Sequence, residues 1–122
     1  MSKLKNYFLN RIKGIGYAAR GAWLLIKNEA SIKAQIVISV LVIIAGFYFE
    51  ISSTEWILQT LTIALVLSAE ALNTAIEKTA DFIHPENHPK IGHIKDIAAG
   101  AVLFTAIASL IIACIIYIPK FY

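Results

Sequence analysis

Three long stretches without Asp, Glu, Lys or Arg limit what this 122-residue sequence can fold into. They cover residues 34–49, 56–69 and 97–119. Apolar types make up 58% of the chain and charged types only 16%, whereas soluble domains have about 45–50% and about 25%. A water-soluble core of this size would alternate with polar faces. The pattern therefore predicts a single all-α membrane domain over residues 1–122, and it excludes a disordered chain, a collagen and a disulfide scaffold.

Polar residues and prolines set the limits of the predicted helices. We expect Ser53 or Thr54 to cap the second span, because a side-chain oxygen there accepts a backbone N–H of the first turn. Pro85 and Pro89 interrupt the helical pattern after this span. Cys114 lies in the longest apolar stretch, so we expect a buried and unreactive thiol. The sequence thus predicts a surface helix over residues 1–31 and membrane spans over residues 32–50, 55–83 and 94–118.

The distribution of positive charge predicts how the chain lies in the membrane. Lys13, Arg20 and Lys27 recur every seven residues and form one cationic stripe, which is typical of an amphipathic helix in the lipid headgroup region. Ten of the 11 cations lie before the first uncharged stretch or between the second and third. The positive-inside rule assigns that side to the cytoplasm. We therefore expect a cytoplasmic N-terminus, with phosphate groups of lipids or nucleotides as partners rather than nucleic acid.

One face of the second span carries polar residues where hydrocarbon is expected. Four of them have the spacing i, i+3, i+7 and i+11: Glu70, Asn73, Glu77 and Asp81. Counted from Trp56 at the opposite end, Glu70 lies about 21 Å along the helix axis. An acid at that depth costs several kcal/mol unless it is paired, hydrated or neutral. We therefore expect a functional role for Glu70, and general-base catalysis suits such a group.

Further charged residues are predicted to lie near the inner boundary of the membrane. By the same count Glu77 lies about 31 Å from Trp56, and a hydrocarbon core is roughly 30 Å thick. Glu29 ends the surface helix at this boundary, and Lys95 and Asp96 open the third span there. For Glu29 and Glu77 two interpretations stay open, a charge that marks the water boundary and a functional group. Other charges are interpreted as boundary markers alone: Lys78, Asp81 and Lys90.

The histidines and the common nucleotide motifs add little. His84, His88 and His93 lie in or near the connection between the second and third spans. Their spacing is not a zinc pattern and no cysteine is close, so we expect solvated loop histidines. The sequence contains no G-x-x-x-x-G-K-[ST] phosphate-binding loop. Any nucleotide would therefore have to be held by other groups.

Two elements of the sequence resemble the signature of the prokaryotic diacylglycerol kinase family, which also includes undecaprenol kinases. The first reads Glu-Ala-Leu-Asn-Thr-Ala-Ile-Glu over residues 70–77, and Asp81 follows it. The second reads Lys-Asp-Ile-Ala-Ala-Gly-Ala-Val over residues 95–102. The resemblance extends over essentially the whole chain, with the three spans in the same order. The connection over residues 84–89 is more similar to the undecaprenol-kinase branch, so diacylglycerol and undecaprenol both stay open as substrates.

The resemblance implies an integral-membrane lipid kinase of the bacterial inner membrane. It implies a homotrimer with active sites shared between subunits at the cytoplasmic face, with ATP and Mg²⁺ bound there. Glu70 would be the general base that takes the proton of the lipid hydroxyl, and Asn73 would support it or orient the lipid. Glu29 and Glu77 would hold Mg²⁺. The residues implied in nucleotide binding are Tyr17, Glu29, Glu77, Glu86, His88, Lys95 and Asp96.

A second interpretation requires no enzymatic activity. In it the chain is a small helical membrane module or an ion-coupled transporter, and Glu70 binds a cation or a proton. A transporter acid is expected near the bilayer midplane with access from both sides, whereas the charges of this sequence gather toward one side. A peripheral lipid-binding adaptor would leave Glu70 unexplained. The sequence therefore favours the lipid kinase over both alternatives.

Overall fold

The protein is described by a computed structural model that covers all 122 residues and contains four α-helices and no strand. A 3-10 turn over Ile118–Phe121 extends the last helix. The helices have the following bounds: α1 Ser2–Asn28, α2 Ala30–Tyr48, α3 Ser53–Ile83 and α4 Pro89–Tyr117. The predicted all-α architecture is confirmed.

Three of these helices have the properties of membrane spans. α2, α3 and α4 are long enough and apolar enough to cross a bilayer. Only nine of the 122 residues are buried, and large apolar side chains such as Leu65, Phe104 and Ile111 are exposed. Each Å² of apolar surface that is moved out of water stabilises a structure by about 25 cal/mol, and these side chains would lose that stabilisation in water. The exposed faces must therefore be covered by lipid or by further protein.

Ion pairs mark the two ends of the helix bundle. At one end, called the basic end, the Lys78 ammonium lies 3.2 Å from the Glu29 carboxylate and joins α3 to the corner between α1 and α2. At the opposite, distal end, Lys120 lies 3.2 Å from Glu55 and joins the C-terminal turn to the start of α3. Each of the helices α2, α3 and α4 is therefore antiparallel to the one before it in the sequence. The α3–α4 loop lies at the basic end.

The corner between α1 and α2 is a single residue. Glu29 has an extended backbone, with φ −104° and ψ 117°, and it is the only non-helical residue between the two helices. The prediction of one continuous helix through residue 31 is therefore wrong at its end. α1 has no buried residue, so its position relative to the bundle depends on this corner.

Two details of the helix ends differ from the sequence prediction. Ser52, not Ser53 or Thr54, caps α3: its hydroxyl accepts the Glu55 N–H at 3.2 Å, and the Glu55 carboxylate accepts the Ser52 N–H at 2.9 Å. This reciprocal pair is a capping box, which needs the acid three residues after the cap. α4 begins earlier than the predicted residue 94, because Pro89 fits the first helical position.

The prediction for Cys114 is wrong within the single chain. Its side chain is exposed. The sequence places it in an apolar stretch, but an apolar stretch in a three-helix membrane chain has several faces that point away from the other helices. Cys114 lies on one of those faces.

Close packing and buried hydrogen bonds hold the distal ends of the spans together. The buried Gln59 side chain donates from Nε2 to the Val42 carbonyl at 3.4 Å. The Tyr117 hydroxyl lies 3.1 Å from that carbonyl and contacts the Gln59 side-chain oxygen. α2, α3 and α4 thus meet at one polar cluster. Nearby, the Trp56 ring packs directly over Gly46.

Gly46→Ala is expected to destabilise the protein. An added Cβ would lie 2.6 Å from the Trp56 ring, so the helices must move apart. Overpacking of this kind costs about 1–3 kcal/mol, and thermal unfolding in detergent measures it. Gly14→Ala is the matched control, because nothing lies within 4 Å of a Cβ there and alanine favours a helix. Equal unfolding temperatures for Gly46→Ala and the wild type would contradict the packing.

Candidate functional site

The polar face of α3 carries the centre of the candidate site. Glu70, Asn73 and Glu77 are half-buried, and Thr74 between them is buried. The i, i+3 and i+7 spacing places the three side chains on one face of the helix. α3 is continuous from Ser53 to Ile83, so it extends this face from the apolar part of the bundle to the basic end.

Asn73 and Glu77 are directly bonded. The Asn73 Nδ2 amide donates to Glu77 Oε1 at 3.1 Å. The carboxylate accepts only, so it fixes which end of the amide faces it. The Asn73 carbonyl oxygen is consequently turned the other way, and there it is buried without a partner. An unpaired buried acceptor costs about 1–3 kcal/mol, which makes Asn73 a place where an additional hydrogen-bond donor would be favourable.

The ion pair between Glu29 and Lys78 brings the α1–α2 corner to the same part of α3. Lys78 follows Glu77 directly in the sequence, and its ammonium lies 3.2 Å from the Glu29 carboxylate. The Glu29 side chain is 25% exposed, whereas that of Lys78 is 69% exposed. The ion pair therefore brings Glu29 to the residue that follows Glu77 on α3.

A second ion pair connects α4 to α3. The Lys95 ammonium lies 2.6 Å from the Asp81 carboxylate. Lys95 is half-buried, whereas the neighbouring Asp96 is exposed. Asp81 follows Glu77 by one helical turn. The ion pair therefore brings a cation close to the face of α3 that carries Glu70, Asn73 and Glu77.

The α3–α4 loop forms the wall of a polar cavity beside Lys95. The cavity has a volume of about 460 Å³, and Asp81, Glu86 and Lys95 contribute to its lining. His88 caps α4, because its Nδ1 accepts the Lys90 N–H at 3.0 Å. The His84 Nδ1 lies 2.8 Å from the Glu86 carbonyl oxygen. Loop residues predicted to bind a nucleotide, Glu86 and His88, thus share one cavity with Lys95.

Some predicted site residues stay apart from the others within one chain. The Tyr17 side chain, on α1, is 72% exposed. No three His, Cys, Asp or Glu side chains lie close enough to one another to hold a metal ion. Three of the acids are instead paired within the chain: Glu29 with Lys78, Asp81 with Lys95, and Glu77 with the amide of Asn73. The half-buried Glu70 carboxylate forms no such pair.

Two residues have contacts that the sequence interpretation did not include. Lys78 and Asp81 were predicted only to mark the water boundary, but each forms an ion pair with a predicted site residue. Their spacing from Glu77, one and four residues, was visible in the sequence. Their partners lie on other elements, and only the fold identifies them.

Comparison with known proteins identifies the family. A family model described as prokaryotic diacylglycerol kinase matches residues 16–117. The chain belongs to the prokaryotic diacylglycerol kinase family. The undecaprenol kinase of Bacillus subtilis is 41% identical over 92% of each chain. The diacylglycerol kinase of Escherichia coli K12 is 32% identical over 89% of each chain. The relatives of this family member are thus lipid kinases, and the resemblance found in the sequence is confirmed.

Asn73→Asp tests the contact between Asn73 and Glu77 without reference to activity. It replaces a donor with a second carboxylate that faces the Glu77 carboxylate, and like charges at this distance repel. We expect a loss of about 1–3 kcal/mol in stability at neutral pH, which diminishes as acidification lets the pair share a proton. Thermal unfolding in EDTA at several pH values measures it.

Asn73→Ala is the control for this prediction. It removes the donor but adds no charge, so its destabilisation should be smaller and should not vary with pH. A loss in Asn73→Asp that is equally independent of pH would show that the two side chains do not face each other.

Proposed function

We propose that this chain is an ATP- and Mg²⁺-dependent lipid kinase. It transfers the γ-phosphate of ATP to the hydroxyl of a membrane lipid alcohol, either diacylglycerol or undecaprenol. The observation that carries this proposal is the 41% identity to an undecaprenol kinase over 92% of each chain. The half-buried Glu70 and the neighbouring charged groups provide the chemical groups that such a reaction requires.

Glu70 is proposed as the general base. Its carboxylate takes the proton of the lipid hydroxyl as the hydroxyl oxygen attacks the γ-phosphorus, and ADP leaves from the opposite side. The position favours this role, because Glu70 is half-buried on a helix that is apolar on its distal side. A lipid hydroxyl lies near the headgroups, so its base must lie at that depth rather than in the aqueous phase.

Asn73 is proposed to support Glu70 and to orient the lipid. It follows Glu70 by one helical turn on the same face. Its half-buried side chain has a carbonyl oxygen without a partner in the chain, so the amide is available to contact the polar end of a lipid that approaches Glu70. A modest rotation of the side chain would be needed to reach it, since that oxygen is covered.

Glu29 and Glu77 are proposed to hold Mg²⁺ with the phosphates of ATP. Carboxylate oxygens are suitable hard ligands, and Mg²⁺ is usually bound by one or two carboxylates together with phosphates and water. Glu77 fits, because Asn73 occupies one of its oxygens and leaves the other available. Glu29 would bind the ion once the Lys78 ammonium leaves its carboxylate and contacts the phosphates instead. The ion would neutralise the negative charge of the triphosphate.

The remaining polar groups at the basic end are proposed to bind the nucleotide. Lys95 would contact phosphate oxygens as a cation, with Asp96 beside it. The other proposed contacts are Tyr17, Glu86 and His88. Support comes from the cavity that Glu86 and His88 share with Lys95. Tyr17 reaches a nucleotide there only if α1 lies over the basic end, or over that of a neighbouring copy.

We further propose a homotrimer in the bacterial inner membrane, with its active sites at the cytoplasmic face. The basic end carries Lys78, Lys90 and Lys95, and α1 with its cationic stripe joins it. This asymmetry supports a cytoplasmic basic end by the positive-inside rule. α1 would lie along the headgroups as an amphipathic helix. Extensive exposed apolar surface supports association with further copies.

Radiolabelled ATP, offered with diacylglycerol and undecaprenol side by side, tests the function directly. The purified protein in lipid vesicles should transfer label to at least one of the two alcohols in the presence of Mg²⁺. Transfer to neither alcohol would refute the proposed function. Proton or cation movement across the same vesicles without transfer would support the transporter instead.

Glu70→Gln is expected to abolish most of the phosphoryl transfer. It keeps the size and polarity of the side chain but removes the base, and loss of a general base typically lowers turnover about 10²–10⁴-fold. Turnover in reconstituted vesicles measures the effect, with thermal unfolding as a check on folding. Full turnover in this variant would exclude Glu70 as the base.

Glu77→Gln is expected to raise the Mg²⁺ concentration for half-maximal activity by about tenfold or more, because it removes a charged ligand. A Mg²⁺ titration of turnover measures the change. The matched control is Glu55→Gln at the distal end, where the acid pairs with Lys120. An unchanged titration in Glu77→Gln would contradict the proposed metal role.

A further inference from the structure

Lys78 contacts one of the two proposed metal ligands. Its ammonium lies 3.2 Å from Glu29 Oε1 and joins α3 to the one residue between α1 and α2. Mg²⁺ bound to Glu29 needs the same carboxylate, because hard divalent cations take carboxylate oxygens as ligands. The ammonium and the metal therefore compete for Glu29. The second proposed ligand, Glu77, accepts a hydrogen bond from the neutral amide of Asn73 and has no cationic partner.

The ion pair can exchange its partners, because water reaches both side chains. The Lys78 side chain is 69% exposed and that of Glu29 is 25% exposed. Water and salt screen such a pair, so it contributes little to stability. The flexible stem of lysine lets the ammonium move while the helix backbone stays in place. Lys78 can therefore leave Glu29 without a movement of α3.

Lys78 is also the group that positions the Glu29 side chain. The Glu29 N–H donates to the Leu25 carbonyl at 3.0 Å, and the Glu29 carbonyl accepts the Lys33 N–H at 3.1 Å. These backbone bonds fix the corner between α1 and α2, but they do not involve the carboxylate. No side chain of α1 is buried or forms an ion pair. The Glu29 carboxylate is therefore held at α3 by its contact with Lys78.

Free Mg²⁺ and Mg²⁺ bound to a triphosphate differ in their effect on Lys78. A free cation that takes Glu29 leaves the ammonium beside a like charge and without a partner, which is unfavourable. A triphosphate brings negative oxygens together with the metal, and lysine binds phosphate oxygens as a point charge. The displaced ammonium then has a new partner. Exchange at Glu29 is therefore more favourable for a metal that arrives with a nucleotide.

We propose that Lys78 is a positioning residue that keeps free Mg²⁺ from Glu29 and releases this carboxylate to Mg²⁺ that arrives with a triphosphate. The inference rests on the proposed lipid kinase function, and it makes metal binding depend on the nucleotide. Its supports are the ion pair on a proposed ligand, the exposure of that pair and the sequence position of Lys78. Because Lys78 follows Glu77 directly, the released ammonium stays near the second proposed ligand.

Lys78→Gln tests the competition without turnover. Mn²⁺ serves as the probe in place of Mg²⁺, and electron paramagnetic resonance measures the free ion over protein in a neutral detergent. In the absence of nucleotide, we expect Lys78→Gln to bind Mn²⁺ about three- to tenfold more tightly than the wild type, because a competing positive charge is gone. Equal Mn²⁺ affinity in the two proteins, or no binding by either, would overturn the proposal.

Lys90→Gln is the matched control. It removes the same charge at the same end of the bundle, but Lys90 forms no ion pair. Its Mn²⁺ affinity should stay within about twofold of that of the wild type, because salt screens an exposed charge that does not touch the ligand. The same gain in Lys90→Gln as in Lys78→Gln would show an effect of net charge alone, and it would overturn the role of Lys78.

Turnover with ATP gives an effect of the opposite sign. Lys78→Gln should raise the KM for ATP about three- to tenfold with kcat little changed, because the phosphates lose a cationic partner. Lys78→Arg keeps the charge and should restore both the Mn²⁺ affinity and the KM for ATP. A role that only supports the fold would weaken Mn²⁺ and ATP binding together. Parallel losses in Lys78→Gln would therefore contradict the proposal.

A double-mutant cycle completes the test. In Glu29→Gln the carboxylate is gone, so the additional change Lys78→Gln should leave Mn²⁺ affinity unaltered. A gain of the same size in that background would overturn the competition at Glu29. If the wild type phosphorylates no lipid alcohol, the proposed function fails, whereas the Mn²⁺ measurements still decide the competition. If the wild type transfers phosphate and Lys78→Gln matches it in both assays, only the role of Lys78 fails.

Discussion

The arrangement of the helices depends on polar contacts at the two ends of the bundle, because the apolar middle buries very little. Nine residues are buried in all. At the basic end Glu29 pairs with Lys78, and Lys95 with Asp81. At the distal end Gln59, Val42 and Tyr117 form one hydrogen-bonded cluster. Since lipid is as apolar as the side chains of the spans, apolar contact alone discriminates poorly between helix arrangements. Directional bonds therefore fix the register.

α3 combines two environments in one continuous helix. Its distal part is apolar, and there Trp56 packs over Gly46 and Gln59 bonds to the Val42 carbonyl of α2. The part of α3 near the basic end carries the acids. Because a helix rises only about 1.5 Å per residue, it can hold a carboxylate at a set depth more firmly than a loop can. A lipid alcohol and a water-soluble phosphate donor meet only at the membrane surface. A rigid helix that reaches from hydrocarbon to water is therefore a suitable support for the proposed reaction.

The number of spans could be predicted from the sequence, because each span is a stretch without charged residues. The family could be predicted as well, because its signature is contained in two short segments, residues 70–77 and 95–102. The polar face of α3 could also be predicted, since helical periodicity alone places Glu70, Asn73 and Glu77 together. The cap of α3 was also readable from the sequence, although Ser53 or Thr54 was predicted. Of Ser52, Ser53 and Thr54, only Ser52 lies three residues before an acid, and that spacing is the signature of a capping box.

The sequence by itself determined an all-α membrane chain with acids toward one side, because hydrophobicity and charge act over short distances along the helix. Only the tertiary structure decided the partners of those acids: Lys78 for Glu29, Asp81 for Lys95 and the amide of Asn73 for Glu77. These relations join different helices, and their register follows from the single-residue corner at Glu29 and from contacts at both ends, which no local pattern specifies.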